Sequence, residues 1–260
     1  MFLEFLRHQY KFLYVLYSKY IDYKYFKKGK SLVYNNEGYY RLTPPIQEKI
    51  LNNYYKKNYR ISRSAGFTKS LIDERAILHY NFLENYLASE HINFLNIGSS
   101  SGGISHLIHK HKNIEIFNLD PSEVKQYYKN KCNYLNSLDE INFKIDFLYM
   151  SHSLEHFSDV KKFLEKINSF FHEKTKVFIE VPNAKHKKAG NSGQDIKPPH
   201  TYYFEKKFFS DLNSKKISLF LTNLKNINKK IIYDKDDKEA CANEENYKFI
   251  IYFGEGYFKL

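Results

Sequence analysis

Cysteine is nearly absent from this chain, which has only Cys132 and Cys241 among its 260 residues. Two cysteines so far apart in sequence exclude a disulfide framework and a zinc ribbon, because both need several closely spaced thiols. We therefore expect a reducing, cytoplasmic setting for the protein.

Long uncharged apolar runs are absent as well. The first twenty residues, MFLEFLRHQYKFLYVLYSKY, are apolar but carry Glu4, Arg7, His8 and Lys11. This layout fits neither a transmembrane helix nor a signal peptide. The apolar spacing predicts a helix over about residues 2–26 that docks on the body of the protein. A helix that binds a membrane surface or a partner is the alternative.

A dense stripe of basic residues is also missing, although the net charge is +12, from 41 Lys and Arg against 29 Asp and Glu. The lysines are scattered along the chain, which favours a solvated surface over a nucleic-acid interface. The positive balance favours anionic partners such as phosphates, nucleotide-activated substrates or nucleic acid. We expect no nucleic-acid partner and no transmembrane segment.

Apolar strands and amphipathic helices alternate along most of the chain. Strands are predicted at 94–97, 144–151 and 176–183, and a helix is predicted over the segment HSLEHFSDVKKFLEKINSFF that follows the second of them. SLVYNNEGYYRL predicts a hairpin, HTYYFEKKFFSDLN a helix, and ISLFLTN with YKFIIYF an antiparallel pair at one sheet edge. This order indicates an α/β fold with a doubly wound parallel sheet.

The stretch INFLNIGSSSGGISHLIHKHKNIEIFNLD, residues 92–120, joins two predicted strands through a small-residue turn and a helix. The turn allows a ligand to approach the backbone, and the start of the helix offers unpaired N–H groups. Asp120 ends the second strand about twenty residues later, where nucleoside-binding βαβ units hold a ribose diol. The nicotinamide pattern Gly-x-Gly-x-x-Gly fails because Ser100 replaces its second glycine. The stretch therefore predicts a nucleoside-binding βαβ unit of another kind.

From about residue 92 onward, the motifs resemble those of class I S-adenosylmethionine-dependent methyltransferases, in the branch that modifies small molecules and sugars. The resemblance lies in NIGSSSGG, NLDPS, DFLYMSHSLEHF and FIEVPN, and in PHTYYFEKKFF, which is similar to a His-x-x-Tyr-Phe segment of that branch. It implies a Rossmann-like, mostly parallel seven-stranded sheet with helices on both faces. It also implies a methyltransferase domain at 67–260, preceded at 1–66 by a helical N-terminal cap that shapes the acceptor pocket. The zinc-binding cysteines of some sugar C-methyltransferases are absent.

The resemblance implies that S-adenosyl-L-methionine binds at the strand ends and leaves as S-adenosyl-L-homocysteine. Asp120 is expected to accept hydrogen bonds from both ribose hydroxyls. Two positions depart from the family's acid-x-Gly-x-Gly-x-Gly turn, where Asn96 replaces the acid and Ser100 the middle glycine, so the charge attraction for the methionine amino group and sulfonium is lost. The implied cofactor contacts are Asn96, Gly98, Ser99, Ser100, Ser101, Gly102, Asp120, Pro121, Asn136, Ser137, Ser151 and His152.

Methyl transfer from a sulfonium is an in-line displacement, and a hydroxyl acceptor also needs a base. His152, Glu155 and His156 have the spacing i, i+3 and i+4, which predicts one face of a helical start. His156 is the first candidate base and His152 the second, while His200 orients the substrate or shares the base role. The alternative for His156 is structural support of the cofactor pocket. No metal is expected, and an ion held by these four residues is the lesser alternative, because adjacent ligands on a helix are geometrically awkward.

Aromatic residues are expected to form the acceptor pocket: Tyr59, Tyr202 and Tyr203 contact the substrate, and Tyr54 and Tyr55 help to roof it. Core packing is the alternative for each of them. The lysines of the loop 184–199 either order over a phosphorylated substrate or keep the loop solvated.

The resemblance implies O-methylation of a sugar, a nucleotide-activated sugar or a phosphorylated precursor of a bacterial capsule or surface polysaccharide. Two alternatives stay open. One is an RNA or protein methyltransferase that uses the basic surface. The other is a non-catalytic S-adenosylmethionine-binding subunit, which the altered glycine turn suggests.

Overall fold

Helices and strands are described by the computed structural model for residues 11–57, 74–87, 91–100, 102–121, 132–186, 196–212, 216–223, 232–233 and 244–259. The α-helices of this part of the chain are α1 (Lys11–Asp22), α2 (Glu48–Lys57), α3 (Glu74–Leu83), α4 (Gly103–Ile108), α5 (Val160–Asn168) and α6 (Lys206–Asp211). The strands are β1 (Ser31–Asn35), β2 (Tyr39–Thr43), β3 (Ile92–Ile97), β4 (Ile114–Leu119), β5 (Asn133–Leu135), β6 (Phe147–Ser151), β7 (Lys176–Pro182), β8 (Tyr202–Phe204), β9 (Lys216–Thr222), β10 (Ile232–Tyr233) and β11 (Phe249–Glu255).

The main sheet has the order β10-β9-β11-β7-β6-β3-β4-β5. The neighbouring pairs from β7 to β5 are parallel, whereas β11 runs antiparallel to both β7 and β9. Seven strands thus form the predicted Rossmann-like, mostly parallel sheet, and the two-residue β10 extends one edge. The fold class and the antiparallel pair at the edge are confirmed.

Alternating side chains of the central strands pack on opposite faces of this sheet. Phe147 and Tyr149 point to the side covered by α3 and α4, while Leu148 and Met150 point to the side covered by α5 and α6. Side chains of a strand alternate between faces, so a nearly continuous apolar sequence is required when both faces are buried. The run FLYMS in β6 satisfies this requirement.

A second, three-stranded sheet has the order β1-β2-β8. The hairpin of β1 and β2 is the one predicted from sequence, with Gly38 in its turn at a φ of 90°. Its partner β8 lies in the segment HTYYFEKKFFSDLN, which was predicted to be helical throughout. The prediction was wrong for Tyr202–Phe204, because pairing with β2 and burial of all three side chains outweigh the local helical pattern.

The N-terminal helix was predicted to bury one apolar face, and the part described by the structure does not. Leu13, Leu16 and Tyr20 are exposed, and burial begins with Ile21 and Phe26, which pack in a separate cluster with α2. No helix in the described ranges is long and apolar enough to cross a lipid bilayer.

Candidate active site

One large cavity, of about 1540 Å³, opens at the carboxyl ends of β3, β4 and β6. Open parallel sheets bind ligands there, at the point where the strand order reverses. Predicted cofactor contacts that line it are Asn96, Gly98, Ser99, Ser100, Asp120 and Pro121. Further predicted site residues on its wall are Asn136, Ser137, Ser151, His152 and His156.

The turn between β3 and α4 forms one end of the cavity. Gly98, Ser100 and Gly102 all have positive φ angles, of 73°, 45° and 75°. The backbone is held by Gly98 N–H, which donates to Leu119 O at 2.8 Å, and by Gly102 N–H, which donates to Ser99 O at 2.7 Å. Glycine fits at 98 and 102 because it has no Cβ atom, whereas Ser100 adopts a positive φ as an L-residue that rarely does so. Ser101, a predicted contact, lies outside the described residues.

Asp120 connects this turn to the end of β4. Its Oδ2 accepts a hydrogen bond from the backbone N–H of Ser100 at 2.7 Å, and its side chain is mostly buried at the cavity wall. The neighbouring turn after β5 is fastened by Glu140, which accepts hydrogen bonds from both Asn136 N–H and Asn136 Nδ2. The ends of β3, β4 and β5 therefore place two polar turns and one acid on the wall of the same cavity.

Asn96, which stands in place of the family's acid, belongs to a buried hydrogen-bond chain. Its Nδ2 donates to Ser105 Oγ at 2.9 Å, and Ser105 Oγ donates to Asn118 Oδ1 at 2.6 Å. Reversing both amides gives the same chain with the opposite polarity. The amide thus joins β3, α4 and β4 behind the turn, in addition to lining the cavity.

The segment after β6 bends sharply and packs against the turn between β3 and α4. His152 has a φ of 52°, and Leu154–His156 form a short 3-10 helix, so the predicted helical start at 152–156 was wrong. The α-helix begins only at Val160, after Asp159 caps it by accepting from Lys162 N–H. Ser153 Oγ donates to Ile97 O at 2.9 Å, which fixes this segment against the end of β3.

His152 is held between two buried carboxylates. Its Nδ1 lies 3.3 Å from Glu155 Oε1, and its Nε2 lies 3.0 Å from Glu180 Oε1. Burial opposes the charged form of His152, but these two acids raise its pKa to about 9. A histidine that stays protonated at neutral pH donates hydrogen bonds and does not accept a proton, which disfavours His152 as the base.

Glu180 organises a wider buried network from the middle of the apolar strand β7. Its Oε2 lies 2.8 Å from His79 Nε2, and its Oε1 lies 3.4 Å from Arg75 Nε. His79 Nδ1 in turn lies 2.6 Å from the Tyr149 hydroxyl. Burial opposes ionisation, but His79 and His152 hold the pKa of Glu180 well below its usual value. The network ties α3 to the sheet and orients His152.

A second histidine cluster lies next to this network. Glu155, His156 and His200 each place one ligand atom within 4.8 Å of the other two. Burial would raise the pKa of Glu155, but the nearby His156, His152 and His200 lower it to about 2. Tyr55 packs on His156 with ring centroids 5.5 Å apart and lines the cavity from α2. This set of one carboxylate and two imidazoles has the composition of a transition-metal site.

The other predicted aromatic contacts are placed elsewhere. Tyr202 packs on Tyr39 in the core, and the Tyr203 hydroxyl accepts a hydrogen bond from Lys197 N–H at 2.8 Å. The two line a small pocket beside His200, and the structure does not bring them to the wall of the large cavity. Tyr54 is buried in the N-terminal cluster, where its hydroxyl donates to Asp22. Tyr59 and most of the loop 184–199 lie outside the described residues.

Site residues that were not predicted from sequence include Arg75, Ser153 and Glu180. Glu180 carried a signal, since it is the only acid inside the apolar run KVFIEVP, and a charged residue in a buried strand needs a partner. Arg75 and Ser153 carried none, because their roles come from contacts with residues distant in sequence.

Comparison with known families agrees with this geometry. A family model described as a methyltransferase domain matches residues 71–229. No curated protein matches the chain.

Among solved structures, the plantazolicin methyltransferase BpumL is similar with a TM-score of 0.55 and 12% identity, over 80% of this chain and 96% of that chain. The plantazolicin methyltransferase BamL is similar with a TM-score of 0.53 and 11% identity, over 79% of this chain and 94% of that chain. Both were crystallised with a triazolic desmethylPZN analogue and SAH. At these identities the likeness shows a shared fold.

Proposed function

The chain belongs to the methyltransferase-domain family and is an S-adenosylmethionine-dependent methyltransferase, and we propose that its acceptor is a hydroxyl group of a sugar, a nucleotide-activated sugar or a phosphorylated precursor of a surface polysaccharide. The observation that carries the proposal is the single cavity that joins Asp120 to His156. A donor site and a candidate proton acceptor share one open space, which is the arrangement that methyl transfer to a hydroxyl requires.

The residues at the strand ends fit the cofactor. S-adenosylmethionine supplies a methyl group on a positively charged sulfur and leaves as S-adenosylhomocysteine. Asp120 offers carboxylate oxygens for the ribose hydroxyls, and Asn136 and Ser137 line the cavity on the adenine side. Arg75 also lines the cavity, and its guanidinium is suited to the methionine carboxylate.

On the acceptor side we propose His156 as the group that receives the hydroxyl proton. Its Nδ1 lies 3.4 Å from Pro199 O, so a hydrogen on Nδ1 faces a carbonyl and Nε2 is the nitrogen proposed to receive the proton. Nε2 lies 3.8 Å from Glu155 Oε1, a carboxylate that would stabilise the imidazolium formed. His152 is held as a cation with its two ring nitrogens against Glu155 and Glu180, so we propose that it positions these carboxylates beside the acceptor side of the cavity. Tyr55 of α2 covers the same side.

The N-terminal segment supports the proposed division into a cap at 1–66 and a methyltransferase domain at 67–260. Helix α2 contributes Lys49, Tyr55 and Lys56 to the cavity wall, and β2 is paired with β8. The lysines favour a phosphorylated or otherwise anionic acceptor.

A labelled-cofactor assay tests the proposal. The purified chain is incubated with methyl-labelled S-adenosylmethionine and a panel of sugar nucleotides and sugar phosphates, and products are identified by mass spectrometry. We expect O-methylation of a member of this panel, about 10²- to 10⁴-fold slower in His156→Ala, while binding of S-adenosylhomocysteine is retained. The matched control is His91→Ala, which removes an exposed histidine distant from the cavity.

Two results would contradict the proposal. Labelling of RNA or protein in preference to the sugar panel would replace the substrate class. An unchanged rate in His156→Ala would remove that residue from the base role.

A further inference from the structure

Glu155 is a buried acid with histidines close to its carboxylate. Its side chain is only 1% exposed, and neither carboxylate oxygen has a hydrogen-bond partner among the residues that the structure describes. An ionised carboxylate without hydrogen bonds is costly to bury, so a cation close to it is expected. His152 lies within ion-pair distance of one oxygen and does not form an aligned hydrogen bond with it.

Two further histidines converge on the same carboxylate. His156 Nε2 lies 3.8 Å from Glu155 Oε1, and the His156 and His200 rings lie 5.1 Å apart between centroids. One ligand atom from each of the three residues lies within 4.8 Å of the others. Around an ion with bonds of about 2.1 Å, tetrahedral ligands are roughly 3.4 Å apart, so side-chain adjustments of about an ångström would close the site.

The backbone holds the two segments of this cluster together. Thr201 N–H donates to Glu155 O at 2.9 Å, and the Thr201 hydroxyl lies 2.9 Å from Glu155 O and 2.6 Å from Phe157 O. His156 Nδ1 lies within hydrogen-bond distance of Pro199 O, at 3.4 Å. An imidazole that ligates a metal through one nitrogen commonly donates the other N–H to a carbonyl or carboxylate, and this contact supplies that support.

From these contacts we propose that Glu155, His156 and His200 form a binding site for one divalent transition-metal ion of the Zn²⁺ type. Two imidazoles and one carboxylate suit such ions better than Mg²⁺ or Ca²⁺, which prefer oxygen ligands. His152 is outside the set because its Nε2 is engaged by Glu180. Three protein ligands leave a coordination position open, as catalytic sites do.

The consequence for methyl transfer rests on the proposed function, whereas metal binding does not. His156 lines the cavity, so an ion in this site can bind the acceptor oxygen. A hydroxyl bound to a divalent ion loses its proton to solvent water more easily. The oxygen then forms the bond to the methyl carbon, and the electron pair of the broken carbon–sulfur bond stays on sulfur. With the ion bound, His156 serves as a ligand, and without it the imidazole itself accepts the proton.

Calorimetric titration with the metal alone tests the site. The full chain is treated with a chelator, dialysed, and titrated separately with ZnCl₂ and MnCl₂. We expect one Zn²⁺ ion per chain and weaker binding of Mn²⁺, with Zn²⁺ affinity reduced tenfold or more in His200→Ala and Glu155→Gln and unchanged in His91→Ala. Thermal unfolding followed by circular dichroism checks the fold of each variant, and His200→Ala decides the result if buried Glu155→Gln does not fold.

The outcomes separate the two proposals. No binding, or equal affinity in His200→Ala and the unaltered chain, would overturn the metal site whether or not the chain methylates a sugar. If the ion binds and its removal leaves the methylation rate unchanged, the site stands and its catalytic consequence is wrong. A rate that falls tenfold on chelation and returns with metal supports both.

Discussion

The carboxylate of Asp120 accepts a hydrogen bond from the backbone N–H of Ser100, with 2.7 Å between Oδ2 and N. This contact joins the end of β4 to the one non-glycine residue of the turn that has a described positive φ. Asp120 therefore stabilises the turn and also faces the cavity where the ribose is proposed to bind.

Replacement of this acid should weaken cofactor binding. Asp120→Ala removes the acceptor for Ser100 N–H and the proposed acceptor for the ribose hydroxyls. Hydrogen bonds to a charged group contribute about 1.5–3 kcal/mol each, and about 1.4 kcal/mol is a tenfold change in affinity. We expect the dissociation constant for S-adenosylhomocysteine, measured by calorimetry, to rise at least tenfold. Glu115→Ala, which removes an exposed acid from the same strand, should leave it unchanged; equal affinity in both variants would contradict the ribose assignment.

Gly98 should not tolerate a side chain. A Cβ at this position would overlap Ser153 Oγ and lie 2.8 Å from Ser153 Cβ, at a φ of 73°. Gly29 has a similar φ of 65° with nothing within 4 Å of an added Cβ, so Gly29→Ala measures the backbone strain alone. We expect about 1–2 kcal/mol of destabilisation from that strain, and about 1–3 kcal/mol more in Gly98→Ala from overpacking.

The double variant Gly98→Ala with Ser153→Gly tests this cause. Removal of the Ser153 side chain makes room for the added methyl group. The free energy of unfolding in urea should therefore be higher in the double variant than in Gly98→Ala. A double variant that is no more stable than Gly98→Ala would show that the contact with Ser153 is not the reason.

A negative charge at position 96 should strengthen the binding of S-adenosylmethionine more than that of S-adenosylhomocysteine. Asn96→Asp restores the acid of the family's turn, and Ser105 can donate to it if Asn118 reverses its amide. The carboxylate attracts the amino group of both ligands but the sulfonium of S-adenosylmethionine only. We expect the affinity for S-adenosylmethionine to rise more than that for S-adenosylhomocysteine, by calorimetry.

The same substitution should lower stability in the ligand-free protein by about 1–3 kcal/mol, because it buries a charge. An unchanged ratio of the two affinities would show that position 96 does not sense the sulfonium.

Loss of the Glu180 charge should destabilise the fold in a pH-dependent manner. Burial opposes its ionisation, but His79 and His152 keep its pKa well below the usual 4.5. A depressed pKa stabilises the folded state above the pKa of the unfolded chain, and this contribution is lost as the pH falls below about 4.5. Glu180→Gln should therefore lose about 3–5 kcal/mol at pH 7, and the difference from the unaltered protein should shrink towards pH 3.

Chemical unfolding at several pH values measures this difference. Glu165→Gln, an exposed carboxylate-to-amide change on α5, is the control and should have no such effect. A loss of stability in Glu180→Gln that is constant with pH would assign the effect to packing and not to charge.

The local sequence determined the elements that depend on local chemistry. The apolar runs at β6 and β7, the small-residue turn after β3 and the acid at the end of β4 predicted the sheet and the polar turns that line one end of the cavity. These signals are readable because strand burial and positive φ restrict which residues can occur at each position. The hairpin of β1 and β2 was readable for the same reason.

Tertiary structure decided what depends on residues distant in sequence. The sequence alone suggested that 152–156 would start a helix and that Tyr202 and Tyr203 would face the substrate. Packing of Ser153 against Gly98 instead bends the first segment, and pairing of β8 with β2 buries the second in the core.

The clustering of Glu155 with His200, and of Glu180 with His79, likewise follows from long-range contacts. Spacing along the chain cannot show which buried charges will meet. Their charge states depend on burial and on neighbours that only the folded chain brings together.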